Sequence, residues 1–543
     1  YSAGWNKYLL GSYEQNEDGS YSYTTNRVGN EVSTDLNSTN ETAGDRRIYL
    51  EAMVDYNRTF GRHDVNAMLL YNQDELVNNV PGNNLINSLP KRKQGLAGRL
   101  SYAYDGKYMA EVNMGYNGSE NFAKGHRWGF FPSIALGYNI SEESFFEPLR
   151  KVITSMKLRG SWGLVGNDQI GGERFIYMPT INLSGKGFTT GIDQNYGLSG
   201  PVYTRYENNS ITWEVGEKIN LGIDLQLLNS LNIVVDIFRE TRRDIFQKKG
   251  TIPTYLGTGN TDVFGNLAEM KNQGLDLSID YNKAFSKDFY MNFKGTFTYA
   301  HNEITKYDEA PKYAFQSKVG QSANVSQGYL SNGLFLDEAE IDRYNQQMGS
   351  TLGAGDIKYL NVSNMHGYGD DIVDVDDWTW IGNPTVPEIV YGFGPSFKYK
   401  NWDFSFFFQG VAKTSLFMSG FHPFGDNSLR NVLQFVANDR WSPTNQNVDA
   451  KYPRLTRKTS LNNTNPGNSG RTSDYWMRDG SFLKLKNMEL GYTFKRMRFY
   501  ISGSNLLTFS KFDLWDPAQS GGSGLKYPTQ RVFNVGFQMT FNN

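Results

Sequence analysis

The sequence predicts an all-β fold, a transmembrane antiparallel β-barrel, and three observations carry the prediction. Apolar residues alternate with polar ones along most of the chain. Aromatic residues make up 15% of 543 residues and glycines number 56, yet mean hydropathy is only -0.55. The links between the alternating segments are in turn short and long. No stretch approaches the roughly 18 apolar residues of a membrane helix. A barrel reconciles a polar composition with a membrane, because only every second residue of a strand meets lipid.

The alternation begins near Trp5 and returns after a long link at 16–46. In GLAGRLSYAY, Leu96, Leu100, Tyr102 and Tyr104 lie opposite Arg99 and Ser101, and Asp105-Gly106 is a tight-turn signal. The return strand sets Tyr108, Ala110, Val112, Met114 and Tyr116 against Glu111, Asn113 and Asn117. Trp128, Phe130, Ile134, Leu136, Tyr138 and Ile140 follow, then Met156, Leu158, Trp162 and Leu164 facing Lys157, Arg159 and Ser161. INLGIDLQL places Ile219, Leu221, Ile223, Leu225 and Leu227 against Asn220, Asp224 and Gln226. The pattern recurs at 275–281, 289–299, 391–399, 402–408, 488–494 and 497–501. It closes with Phe533, Val535, Phe537, Met539 and Phe541.

Two details favour lipid over a buried core on the apolar side. Glu111, Arg159, Asp224 and Lys294 sit on the polar face, where a closed soluble barrel would bury them at high cost. Tyr, Trp and Phe gather at strand ends, as in the aromatic girdles of membrane barrels. A chain of soluble β-sandwiches is the competing reading.

Short links fall near Arg62, at Asp105-Gly106, at 141–154, at Asn229-Ser230, near Lys287, at Asn401 and at Lys495. Long links cover 16–46, 72–94, 117–126, 166–217, 241–270, 302–386, 411–480 and 510–526. An outer-membrane barrel has this rhythm, with short periplasmic turns and long extracellular loops. About 16 strands are expected, the last running inward from the outside.

Composition excludes several chemistries. Without cysteine there is no disulfide framework, zinc-thiolate site or thiol nucleophile. A net charge of -2 gives no global pull toward nucleic acid. His63, His126, His301, His366 and His422 scatter over expected turns and loops, and no catalytic spacing accompanies them. No enzymatic activity is expected.

The tail GSNLLTFSKFDLWDPAQSGGSGLKYPTQRVFNVGFQMTF resembles the C-terminal end of SusC/RagA-type TonB-dependent outer-membrane transporters. Their pattern there is an Asn-Leu-x-Thr-Phe strand, an aromatic-Asp-Pro loop, Tyr-Pro-x-x-Arg and a closing strand. GLAGRLSYAYDGKYMAEVNMGYNGSENF, WGFFPSIALGYNISEESFF and GNPTVPEIVYGFGPSFKYKNWDFSFFFQG agree with it. The resemblance implies a 22-stranded barrel, of which residues 1–543 are read as the C-terminal part. A signal peptide, accessory domain, TonB box and plug are not found, and the missing first strand is expected to leave edges at 527–541 and near 5–15.

It also implies TonB-dependent import, across the cell outer membrane of a Gram-negative bacterium, of an oligosaccharide or peptide too large for porins. A SusD-like surface lipoprotein, TonB (through the missing N-terminal region) and outer-membrane lipid would be the partners. A structural barrel that scaffolds a complex and transports nothing is the alternative.

In GDIKYLNVSNMHGYGDDIVDVDDWTWIG the family often carries an EF-hand-like D-x-N-x-D-G-x-I-D-x-x-D loop, which implies Ca²⁺. Here Asn361 stands at the first position, MHGYG is inserted before Asp370, and Asp371 replaces the glycine. Asp370, Asp374 and Asp377 are the candidate ligands, and a solvated acidic loop is the simpler reading. Asp337, followed by acids, Ile341 and Tyr344, opens a candidate short helix. The long links, rich in Tyr, Asn, Gly and Trp, suit recognition of sugar or peptide and docking of a partner equally.

Overall fold

A computed structural model describes residues 7–28, 44–79, 85–170, 174–253, 255, 262–344, 346–347, 352–368, 370–418, 432–455 and 472–541. The strands are β1 (Lys7–Gln15), β2 (Tyr21–Val28), β3 (Asp45–Phe60), β4 (His63–Asn78), β5 (Lys91–Tyr104), β6 (Tyr108–Ser119) and β7 (Trp128–Asn139). Next come β8 (Ile153–Asn167), β9 (Thr180–Thr190), β10 (Tyr196–Arg205), β11 (Glu214–Leu227), β12 (Leu231–Lys248), β13 (Phe264–Ala284) and β14 (Phe289–Lys306). The last five long strands are β15 (Ile389–Tyr399), β16 (Trp402–Ala412), β17 (Phe482–Phe494), β18 (Met497–Ser510) and β19 (Val532–Met539).

Fifteen strands join one sheet in the order β19-β18-β17-β16-β15-β14-β13-β12-β11-β8-β7-β6-β5-β4-β3. The aligned pairs are antiparallel between neighbours, as short turns require. Among the described residues neither β19 nor β3 has a second strand neighbour in the sheet. Both are exposed along nearly their whole length.

The chain divides into two compact units, residues 1–50 with 73–93 and residues 51–72 with 94–543. The first holds β1, β2 and one end each of β3, β4 and β5. There Arg47 pairs with Asp74 at 2.7 Å, and Glu75 is shared by Arg46 and Arg92. Most of the large sheet lies in the second unit.

The strand expected near Trp5 departs from the reading. Its described part, β1, pairs only with β2 in a separate two-stranded sheet. The link expected at 16–46 therefore starts as a hairpin. Asn16 and Ser20 close the turn, with Gly19 at φ 82°, and YSYTTNRV is rich in strand formers. Local pairing meets a short turn at once, so the hairpin forms without the large sheet. Other strands run further than expected on the long-link side: β12 reaches Lys248 and β13 starts at Phe264.

Register turns the alternation into cross-strand rows. One row is Leu227, Leu231, Tyr281, Phe293 and Pro395; the next are Leu225, Ile233, Ile279, Gly295 and Phe393, then Ile223, Val235, Leu277, Phe297 and Tyr391. Leu221, Ile237, Leu275 and Tyr299 complete the set. Leu221 and Ile237 are 62% and 60% exposed, so this face is no protein core. Contiguous exposed apolar surface of this extent marks contact with another phase.

At the short-turn end an aromatic row crosses six strands: Phe289, Tyr399, Trp402, Tyr492, Phe499 and Phe537. Trp402 and Tyr492 have ring centroids 4.7 Å apart, and Tyr108 stacks on Tyr138 at 5.1 Å. Towards the long links the apolar columns of β12, β13 and β14 stop together, at Arg239, Gln273 and His301, while β8 and β11 still carry Trp162 and Ile219 in that row. From Leu231 to Arg239 is nine residues, within the about 9–11 that span a membrane on a tilted strand. An aromatic row at one end, a change to polar residues at the other and an exposed apolar band between them make this a membrane-spanning β-sheet wall.

The opposite face is polar. Arg159 on β8 donates to both oxygens of Asp236 on β12 at 2.7 Å, and to Asp224 Oδ1 at 3.0 Å. Gly222 of β11 lies between Arg159 and Asp236 in register, and only hydrogen fits beneath the guanidinium. A Cβ there would stand 2.6 Å from Arg159 Cζ and 2.8 Å from Asp236 Oδ1. The same device recurs where Arg498 of β18 reaches Asp403 of β16 across Gly491 of β17, with Glu489 also accepting from Arg498. Gly222→Val is therefore expected to push the Arg159 strap aside and destabilise the wall by roughly 1–3 kcal/mol. A lowered temperature for loss of heat-modifiable folded protein would register it, and an unchanged temperature would mean that the strap contributes nothing.

Candidate functional site in the long connections

The long connections fold into cores of their own. Segments 307–388, 413–481 and 511–531 supply one cluster, in which Leu334, Ile357, Tyr359, Val373, Met418 and Trp476 are fully buried. Connections after β6, β8 and β10 supply a second, with Phe122, Ile170, Ile176, Ile211 and Trp213, against which Phe246 of β12 and Phe264 of β13 pack. Tyr475 beside the first core has its hydroxyl pushed well above the ordinary range by burial, and Tyr452 is pushed up to about 12 for the same reason. Loops without such cores would be pliable; these present fixed surfaces.

Buried ion pairs tie the segments together. Lys484, 4% exposed at the start of β17, contacts both oxygens of Asp516 at 2.7 and 2.6 Å. Asp516 also accepts from the Ala518 N–H, capping the short helix Pro517–Gln519. Burial alone would raise the Asp516 carboxyl. Hydrogen bonds from Lys484, Thr529 and Ala518, with the Lys484 charge, outweigh it and hold the group below the ordinary range. Arg454 reaches fully buried Asp356 in the same way. At the root of 307–388, Glu388 accepts from His301 Nδ1 at 2.5 Å and lies 3.4 Å from Lys413 Nζ.

The acidic segment is built differently from a solvated loop. Asn361 caps a helical turn over Val362–Met365, whose last residue opens the MHGYG insertion. The turn aims the Ser363 N–H at Asp377 Oδ1 (2.9 Å), while the Asp374 N–H reaches Asp377 Oδ2 at 2.8 Å. Asp377 is fully buried. Burial raises its carboxyl above the ordinary range, Ser363 and Asp374 lower it, and the Asp370 charge raises it again. Asp370 meets the same Ser363 through its hydroxyl at 3.2 Å. Asp374 turns instead to the Asp376 N–H at 2.8 Å. The structure thus brings Asp370 and Asp377 together and directs Asp374 elsewhere. Among the described residues, no three His, Asp or Glu side chains gather as a ligand set.

The insertion also carries His366 and Tyr368 to a second pair of rings. Phe315 stacks on His366 at 4.6 Å, and Tyr313 approaches Tyr368 at 4.1 Å. Lys312 pairs with Asp376 beside them, and Gln316 Nε2 donates to the Asp376 carbonyl at 3.0 Å. Tyr368 is about half exposed, so the cluster offers aromatic surface to solvent. Single-sequence reading missed it, because Tyr313 and Tyr368 become neighbours only through the fold. The expected helix is present over Glu338–Arg343, with Asp337 accepting from the Glu340 N–H. Of the histidines, His63 and His301 lie in strands rather than loops, and His422 falls outside the described residues.

The sequence matches the family described as TonB dependent receptor-like, beta-barrel, over residues 1–506. TonB-dependent receptor P3 of Formosa agariphila is 25% identical, covering 95% of this chain and 54% of that protein. TonB-dependent receptor SusC of Bacteroides thetaiotaomicron is 28% identical, covering 82% and 43% respectively. The chain thus spans about half the length of the curated relatives it matches. In fold it is similar to a chain of the RagAB peptide transporter, with a TM-score of 0.67 and 20% identity over 92% of this chain and 56% of that one. The match along nearly all its strands, with the girdled sheet and long folded connections, places the chain in the TonB-dependent receptor β-barrel family, of the SusC/RagA type.

Proposed function

We propose that this chain is the C-terminal barrel portion of an outer-membrane TonB-dependent importer of a large nutrient, an oligosaccharide or peptide. It forms the membrane wall and the external half of a binding cavity. A SusD-like lipoprotein closes over the long connections, and TonB acts through an N-terminal region outside these residues. The edges at β19 and β3, which have no further strand neighbour among the described residues, support the incomplete-barrel part of the reading, because a strand edge in lipid leaves backbone groups unpaired. The observation that carries the reading is the pair of loop cores. A barrel that only sealed a membrane would need no rigid surface with its own buried ion pairs and presented aromatic rings.

The test uses the full-length gene product in its native membrane. A surface lipoprotein should co-purify with it, and loss of TonB should abolish growth on the nutrient the complex imports. Co-purification with TonB-independent growth would favour the structural scaffold instead.

A Ca²⁺ ion held by Asp370, Asp374 and Asp377, which would draw the Asp374 carboxylate away from the Asp376 N–H, is part of the same proposal. Its support is the Asp377 carboxyl, raised by burial beside Asp370. Such a group favours the protonated fold, so its contribution fades as pH rises through the folded value, and a cation would offset the loss. Chelation is expected to open new protease cleavage within 307–388. The variant Asp370→Asn/Asp374→Asn/Asp377→Asn should be cleaved there without chelator. One cleavage pattern under all conditions would return the segment to an acidic loop held by its own N–H donors.

A further inference from the structure

The apolar columns of β12, β13 and β14 end at Arg239, Gln273 and His301, level with Trp162 on β8 and Ile219 on β11, and the residues around this boundary are unevenly charged. Arg239, Arg243 and Lys271 continue the lipid-facing columns of β12 and β13, against Glu217 on β11 and Glu303 on β14. Glu217 is already engaged: Trp162 Nε1 donates to it at 2.8 Å, and Arg243 lies 3.7 Å away, with Asp244 Oδ2 a further 4.0 Å contact of the same guanidinium. Among the described residues, neither Arg239 nor Lys271 takes part in an ion pair, and Arg239 has only Ile219 and Gln273 directly opposite. The other face at the same level is compensated, because Glu240 holds both Lys218 and Arg242.

Arg239, without an ion pair among the described residues, is exposed immediately above Leu221, Ile237 and Leu275. Charges on a barrel's lipid face become tolerable only near the interface, and that is where lipid phosphates lie. We propose that Arg239, Arg243 and Lys271 form a phosphate cradle for a phosphorylated glycolipid of the outer leaflet, its acyl chains lying on Leu221 and Ile237. Guanidinium forks suit phosphate oxygens bidentately, and the lysine adds a point charge. The inference rests on the outer-membrane reading above and adds a specific lipid contact to it.

The test is lipid retention by the full-length protein, purified from native outer membranes in mild detergent. Co-purified lipid A per protein, read by mass spectrometry, should fall roughly tenfold in Arg239→Gln/Arg243→Gln/Lys271→Gln. The control Lys218→Gln/Arg242→Gln/Lys294→Gln removes as much charge from the polar face and should retain the lipid. Delipidated protein should rebind phosphorylated lipid A from nanodiscs, and neither dephosphorylated lipid A nor inorganic phosphate should compete. Equal retention by the two variants would overturn the proposal, as would rebinding of the dephosphorylated lipid or displacement by inorganic phosphate. Both variants should remain heat-modifiable and need detergent for extraction. Extraction without detergent would contradict the membrane reading itself, separately from the lipid site.

Discussion

Leu225→Arg should block barrel assembly, while Gln226→Arg one residue on should be tolerated. Leu225 belongs to the row with Ile233, Ile279, Gly295 and Phe393, well inside the apolar band. Arginine near the membrane midplane of a barrel costs about 2–4 kcal/mol. Gln226 lies on the polar face with Asp224 and Asp236, where a hydrated arginine has acids within reach. The measurement is the heat-modifiable folded fraction in membranes of the full-length protein. Equal damage from both substitutions would mean that the register is wrong by one residue, since a one-residue slip exchanges the faces.

Lys484→Met should have the second large effect. It leaves the Asp516 carboxylate without its cation, and breaking a buried pair from one side costs roughly 3–5 kcal/mol. Segment 511–531 should lose its hold on β17, seen as protease cleavage in that segment with the sheet still folded. Lys484→Met/Asp516→Leu should recover most of the loss, because it leaves no charge behind. A double variant as damaged as the single one would mean that shape rather than charge holds the segment. The pH dependence follows the same pair. The folded Asp516 carboxyl is depressed, so its contribution is full above the unfolded value of about 3.9 and is lost as pH falls through the folded value. The loop should therefore become protease-sensitive in acid before the sheet unfolds.

Much of the sheet was legible because a lipid-facing strand writes its environment into every second residue. Asp105 and Gly106 both have positive φ, as their turn signal implied. At 228–230 the left-handed residues are Leu228 and Asn229, so one of the pair expected to turn, Ser230, is not among them. The hairpin of β1 and β2 was not legible, since alternation does not say which strand a neighbour will pair with. The loop cores were hidden for a different reason. Their residues come from three segments separated by whole strands, and Trp476 meets Tyr359 only after the sheet has set the segments side by side.

The acidic segment shows the same limit at a single site. Spacing alone suggested cation ligands or solvated acids, whereas the Ser363 N–H of the helical turn and the Asp374 N–H both reach Asp377, which is fully buried. The glycine straps were equally invisible, because a glycine in a strand reads as a weakness until the side chains on both flanking strands are known.

Strand β12 is expected to cross a bilayer with alternate residues facing lipid and an aqueous interior, and to leave lipid at Arg239. The chain has no cysteine, so single spin labels can be placed at each position from 231 to 243 in the full-length protein, with any cysteine outside this chain replaced. Collision rates with oxygen, which concentrates in lipid, and with a water-soluble nickel complex separate the two environments. A period of two is expected, with high oxygen accessibility at 231, 233, 235 and 237 and high nickel accessibility at the even positions. Beyond 239 both faces should become accessible to nickel. Uniform nickel accessibility along the strand, or oxygen maxima at 232, 234 and 236, would contradict it.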